Sequence, residues 1–157
     1  MNISRDSAVS GIIQSLRTIF KAIQDYSHEV SENYGITGPQ LWVLKTISLN
    51  GRLSLGDLGR RMYLKPSTIT GLIDVLEEKG YLARMRDRED RRVVKVQLTP
   101  KGQRLVKKAP NPAQGKMIYG LRKLKRHELD VIFDSVQKLV KIMEARDMKV
   151  TFFLDPS

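Results

Sequence analysis

Cysteine is absent from the 157 residues. That excludes disulfides, thiolate metal sites, cysteine nucleophiles and thiol-based redox sensing. Histidine is scarce: the two present, His28 and His127, lie far apart in the sequence and lack the paired spacing of a zinc site. No Gly-rich phosphate loop, nucleophile elbow or Ser-His-Asp pattern stands out, so the sequence does not read as an enzyme and no cofactor is expected. Long apolar runs are missing too. The longest, Leu41 to Leu44, falls far short of the ~20 residues a membrane span needs. The opening residues mix Arg5, Asp6 and Arg17 with apolar positions and show no signal-peptide core. The expectation is a soluble cytoplasmic protein with no membrane partner. Its length fits one domain over residues 1–157, large enough to bury a core without staples.

Positive charge is what the sequence has in excess. Lys plus Arg number 28 against 17 acidic residues, giving +11. Residues 1–50 are balanced, with 4 basic and 4 acidic side chains; residues 51–108 hold 15 and 7; residues 109–157 hold 9 and 6. An excess gathered in the middle third is the footprint of a polyanion-binding surface, most often for nucleic acid. A basic surface that serves only solubility is the plain alternative.

Apolar residues at Ile12, Ile13, Leu16, Ile19, Phe20, Ile23, Tyr26 and Val30 recur at steps of three and four, one stripe on a helix of about 20 residues. Gly35 ends it. Thr37 to Gln40 reads as a capping box opening a second helix that stops near Asn50-Gly51. Ser54 to Asp57 reads as another, starting a short helix to Met62. A break at Tyr63 to Lys65 leads to Pro66, which suits the first turn of a helix over Ser67 to Lys79 with Ile69, Leu72, Ile73 and Leu76 on one face. Its other face carries Ser67, Thr68, Thr70, Gly71 and Asp74. The period then changes. Residues 81–86 and 93–98 alternate like two strands joined by a fully charged tip, Asp87 to Arg92. Thr99-Pro100 starts the next helix, Pro110 and Pro112 interrupt it, and helical signal resumes over Gln114 to Leu124. A last stripe runs through Leu129, Ile132, Phe133, Val136, Leu139, Val140 and Met143, and Thr151 to Ser157 is left unassigned.

Helix, short helix, tight break, second helix and hairpin form the layout of a winged helix-turn-helix. The fold expected is mainly α with a small β-hairpin wing. The helix from Pro66 is amphipathic with a small polar outer face, so it can enter a major groove ~12 Å wide. The arginine-rich hairpin tip suits the narrow, strongly negative minor groove of A·T-rich DNA. Residues 81–108 hold 10 basic and 3 acidic side chains. Alternating acids and arginines at a hairpin tip also form surface ion-pair networks of little consequence, and both readings can hold together.

Asp90-Arg91-Arg92 followed by Leu98-Thr99-x-x-Gly102 resembles the wing and exit-helix motif of the MarR (multiple antibiotic resistance regulator) family of bacterial transcriptional regulators. Leu55-x-x-Leu58 and Pro66-Ser67-x-x-Thr70-Gly71-Leu72-Ile73-Asp74-x-Leu76-Glu77-x-x-Gly80-Tyr81 resemble that family's prop and recognition helices. The resemblance implies a winged lobe over residues 36–100, flanked by dimerisation helices at 8–34 and 101–150. It further implies a homodimer that binds a pseudo-palindromic operator in double-stranded DNA, usually as a repressor, and in many members releases it when a small aromatic or anionic effector binds. The residues expected at DNA are Ser54, Lys65, Pro66, Ser67, Thr68, Thr70, Gly71 and Asp74, with Arg84, Arg86, Arg88, Asp90, Arg91 and Arg92 from the hairpin. In this scheme Asp90 orients Arg92 into the minor groove. The dimer interface is expected at Ile12, Leu16, Ile19 and Ile23 together with Leu129, Ile132, Val136 and Leu139. Stripes this apolar do not face water readily in a monomer. Tyr26, His28, Tyr34 and Trp42 are candidate effector linings, although each aromatic also reads as core or interface. The break at Pro110 and Pro112 departs from the family's commoner unbroken exit helix.

Other readings remain. His28 and Glu32, one helical turn apart, make half a metal site, but no metal is expected. A basic winged-helix module binding nucleic acid without sequence preference would keep the charge and need no dimer. A winged domain used for protein contact would not need the basic middle segment.

Overall fold

The computed structural model describes residues 3–144. The unassigned tail, and residues 145–150 of the expected C-terminal dimerisation segment, lie outside the described residues. The chain divides into two compact units, Met1–Ala113 and Gln114–Ser157. The division falls directly after the two prolines that break the helical pattern.

The first unit opens with α1, Arg5–Tyr34, which is 30 residues long and ends at Gly35. The sequence stripe shows only its middle, because the first two turns are mostly polar and small. Ser4 starts the helix, its hydroxyl accepting the Ser7 N–H. Helix α2, Gly38–Asn50, carries the expected capping box in full. The Thr37 hydroxyl accepts the Gln40 N–H, and the Gln40 carboxamide accepts the Thr37 N–H. Leu41, Trp42, Val43, Leu44 and Ile47 are all buried, so α2 is apolar all round. Such a helix belongs at the centre, and α2 packs against α1, against the helices over residues 55–62, 66–78 and 100–108 and against the strand over residues 94–98.

Strand β1, Leu53–Ser54, precedes α3, Leu55–Met62. Two residues have no period to read, so this strand is invisible in the sequence. It makes the expected two-stranded hairpin a three-stranded antiparallel sheet of order β1-β3-β2, with β2 at Leu82–Arg86 and β3 at Val94–Leu98. Leu53 sits opposite Val96, and Leu82 opposite Leu98. Ser54 caps α3 by accepting the Asp57 N–H, but the expected reciprocal box is altered. Asp57 is one methylene shorter than Glu, and its carboxylate accepts the Ser54 hydroxyl at 2.8 Å.

Helix α4, Pro66–Glu78, buries Ile69, Ile73 and Leu76 against α2 and α3. It ends in a paired closure: the Gly80 N–H reaches the Glu77 carbonyl and the Tyr81 N–H reaches Leu76. Gly80 adopts φ +75°, a conformation that costs a side chain about 1–2 kcal/mol. Helix α5, Pro100–Lys108, starts on Thr99, whose hydroxyl accepts the Gly102 N–H and donates to the Gly80 carbonyl. At its other end the Lys45 ammonium donates to the carbonyls of Val106 and Ala109, both at 2.7 Å, and the Tyr34 hydroxyl donates to Lys108. Desolvation lowers the Lys45 pKa.

Helix α6, Ala113–Lys123, follows the proline break. In the second unit α7, Arg126–Ile142, leaves Ile132, Phe133 and Val136 exposed.

Candidate nucleic-acid interface

The first unit arranges α3, a tight turn and α4 as a helix-turn-helix, with the β2–β3 hairpin beside it. Tyr63, in the turn, holds a left-handed backbone with φ +57° and is 67% exposed. Lys65 precedes α4 and gives it no side-chain cap, so the first-turn N–H groups are not covered from that side. Ser67, Thr70, Gly71 and Asp74 are exposed and Thr68 is half-buried; the expected small polar face is therefore on the surface. The Thr70 hydroxyl donates to the Pro66 carbonyl, which leaves its oxygen able to accept. A Cβ added at Gly71 would meet nothing within 4 Å. This part of the helix presents a shallow, nearly featureless ridge.

At the hairpin tip the Asp87 N–H donates to the Val93 carbonyl and the Val93 N–H to Asp90. The Asp90 carboxylate accepts the backbone N–H of Arg92 at 3.0 Å. Asp90 thus engages Arg92 through its backbone N–H and shapes the turn on which the arginine stands. Asp87 pairs with Lys95 at 3.1 Å, and this hydrogen bond holds its carboxyl below the usual range. Among the described residues, Arg86, Arg88, Arg91 and Arg92 make no ion pair, and all four are exposed. The surface-network reading of the tip therefore does not describe these four side chains.

Arg84 is different. Its guanidinium donates to both Asp74 and Glu77 of α4, and its N–H donates to Glu77 Oε1 at 3.1 Å. The Arg84 N–H is the leading reason the Glu77 carboxyl sits below its ordinary value, with the guanidinium next. Two residues expected at DNA, Asp74 and Arg84, are thus bound to each other. A third, Ser54, spends its hydroxyl on Asp57. The Arg84 pairings with Glu77 and Asp74 cross the helix-turn-strand boundary at separations of seven and ten residues, which no periodic pattern announces.

The four expected effector residues stand in different surroundings. Trp42 is in the core, Tyr34 holds the end of α5, and His28 is exposed beside Glu32 at 3.3 Å. Tyr26 is buried with its hydroxyl unpartnered among the described residues, and burial pushes its pKa up. An open cleft of about 390 Å³ is lined by Ile47, Arg52, Gln97, Leu98, Gln103 and Lys107 among others, and includes none of the four. Among the described residues no three metal-ligating side chains cluster and no helix could cross a membrane.

A capped prop helix, a surface-facing second helix and an arginine-tipped wing define a winged helix-turn-helix protein. Residues 36–94 match the model of the MarR family. The chain is 38% identical over 99 residues to the HTH-type transcriptional repressor MdtR of Bacillus subtilis, covering 63% of this chain and 64% of that one. It is 31% identical over 138 residues to the uncharacterized HTH-type transcriptional regulator YsmB of the same species, covering 88% and 94%. A solved MarR family protein from Bacillus stearothermophilus superimposes with a TM-score of 0.56 at 30% identity, covering 90% of this chain and 99% of that one. The chain belongs to the MarR family of transcriptional regulators, and it is not an enzyme.

Proposed function

We propose that this protein regulates transcription by binding a pseudo-palindromic operator in double-stranded DNA as a homodimer, and that it acts as a repressor. The observation that carries the reading is the set of four exposed wing arginines, without ion pairs among the described residues, beside an exposed small-residue helix face. Ser67, Thr68, Thr70 and Gly71 of α4 meet the major groove, while Lys65 and Pro66 approach a phosphate. Arg88, Arg91 and Arg92 enter the adjacent minor groove, with Arg86 at its edge. Self-association is supported by the exposed apolar residues of α1, Ile12, Ile13, Ile19 and Phe20, and of α7, Ile132, Phe133 and Val136. Leu16, Ile23, Leu129 and Leu139 on the same helices are half-buried and complete the stripes. Repression is supported by the MdtR relative, which is a transcriptional repressor. Release by a small aromatic or anionic effector belongs to the same proposal, supported by the buried Tyr26 hydroxyl, which has no partner among the described residues.

The test begins with selection of duplexes from a random-sequence pool by the purified protein. Anisotropy titrations then compare the selected site with a scrambled duplex at two salt concentrations. A strong preference with two chains per duplex supports the reading. Equal binding that falls alike with salt would leave counterion release alone, and a non-specific module.

A further inference from the structure

Asp74 and Glu77 lie three positions apart on α4, hence on one face of that helix. Arg84 lies mid-strand in β2, opposite the fully buried Val96 of β3. Its side chain is 28% exposed, and it makes three bonds to the two acids, one of them from the backbone. A lone surface pair would contribute little. This one is part-sheltered, engages both arms of the guanidinium fork, and joins the base of the wing to the helix.

We propose that Arg84 is a positioning residue: it fixes the angle of α4 against the wing so that helix and hairpin meet their grooves together, and it does not itself contact DNA. This rests on the reading of the first unit as a DNA reader. The leverage can be worked out. Ser67 is seven residues from Asp74, about 10 Å along a helix rising 1.5 Å per residue. A tilt of about 5° at the clamp moves the Ser67 end by about 1 Å. That takes a base contact from ~2.9 Å to ~3.9 Å, outside hydrogen-bond range. Contacts from long, freely rotating arginines to phosphate tolerate such a shift. The clamp therefore acts on sequence discrimination rather than on general affinity.

Removing an acid gives a test by sign. Glu77→Ala deletes a negative charge from the DNA-facing lobe and frees Arg84, so a purely electrostatic account has it bind DNA more tightly. The clamp account predicts about 10-fold weaker binding to the selected duplex, with binding to the scrambled duplex unchanged or slightly stronger. Arg84→Gln should lower the same ratio while leaving the salt slope on scrambled DNA unchanged. Asp74→Ala, which removes only the exposed arm, serves as the milder second variant should Glu77→Ala unfold, and thermal melts report the folded state of each. Tighter or equal binding of the selected site by the acid variants would overturn the proposal. So would a fall of about 0.9 in the salt slope for Arg84→Gln on both duplexes, the mark of one lost phosphate contact. If the wild-type protein selects no consensus from the pool, the DNA-reading proposal fails first and takes this one with it.

Discussion

Gly102 is the position where one added methyl group should be felt most. An ideal Cβ built there would stand 2.0 Å from the Tyr81 carbonyl oxygen, against a floor of 3.0 Å for real contacts, so the start of α5 must retreat by about 1 Å. The obstacle is backbone and cannot rotate away. The same carbonyl accepts the Thr99 N–H at 3.1 Å, and Thr99 caps α5 through the Gly102 N–H, so retreat loosens both bonds. Overpacking costs ~1–3 kcal/mol, the backbone bond contributes ~1 kcal/mol and the cap ~1 kcal/mol. Alanine's helix preference over glycine returns ~1 kcal/mol. The net expectation for Gly102→Ala is a loss of about 2–4 kcal/mol. Urea unfolding at fixed protein concentration measures it, and the melting temperature should fall by roughly 5–15 °C. Gly56→Ala is the control: its Cβ would meet only ordinary contacts at 3.6 and 3.9 Å, so it should be neutral or stabilise by up to about 1 kcal/mol. Gly102→Ala matching that control would refute the close approach of α5 to the α4–β2 turn.

Further outcomes follow from the wing, the clamp and the terminal helices. Arg92→Ala should weaken binding to the selected duplex by about 1–3 kcal/mol in anisotropy titrations; unchanged affinity would remove Arg92 from the groove. Asp90→Ala should weaken binding although it removes a negative charge, and Asp90→Asn, which can still accept the Arg92 N–H, should recover most of the loss; tighter binding by the alanine variant would make Asp90 only a repulsive surface acid. Glu77 and Asp87 both have carboxyl values lowered in the folded protein, so their contribution is present above the ordinary carboxyl range of ~4 and is lost as pH falls through the lowered values. Melting temperatures recorded from pH 7 down to 3 should drop below about pH 4.5, and Glu77→Gln should flatten that drop; an unaltered profile would show that Glu77 does not contribute. Ile19→Glu, placing a charge in an exposed apolar stripe, should convert the proposed dimer to a monomer by light scattering, and a persisting dimer would remove α1 from the proposed interface.

Elements that announce themselves by local chemistry were legible in the sequence. The Thr37–Gln40 box, Pro66 and Pro100 at helix starts and Gly80 at a helix end all stand where their residue types require. The alternation of residues 81–86 and 93–98 marks β2 and β3 to within a residue. What escaped was set by partners distant in sequence. Strand β1 exists because Leu53 and Ser54 pair with β3 more than 40 residues on. Arg84 looks like any wing arginine until the chain reversal at Gly80 brings it beside Asp74 and Glu77. The expectation that Asp90 orients Arg92 names no atoms; the bond it makes is to the Arg92 backbone N–H, two residues on, which closes a local turn. The role of Gly102 is likewise tertiary: the glycine stands out in the motif, but the carbonyl it makes room for lies in the turn after α4.

The central claim is that two copies of the winged lobe read one symmetric DNA site. Hydroxyl-radical footprinting of the selected duplex tests it most directly. Two equal protected patches related by a two-fold axis, with half-site centres one helical turn or ~34 Å apart, are the expected result. The minor-groove protection outside each half-site should vanish in Arg92→Ala. A single patch, or uniform protection along the duplex, would contradict the account.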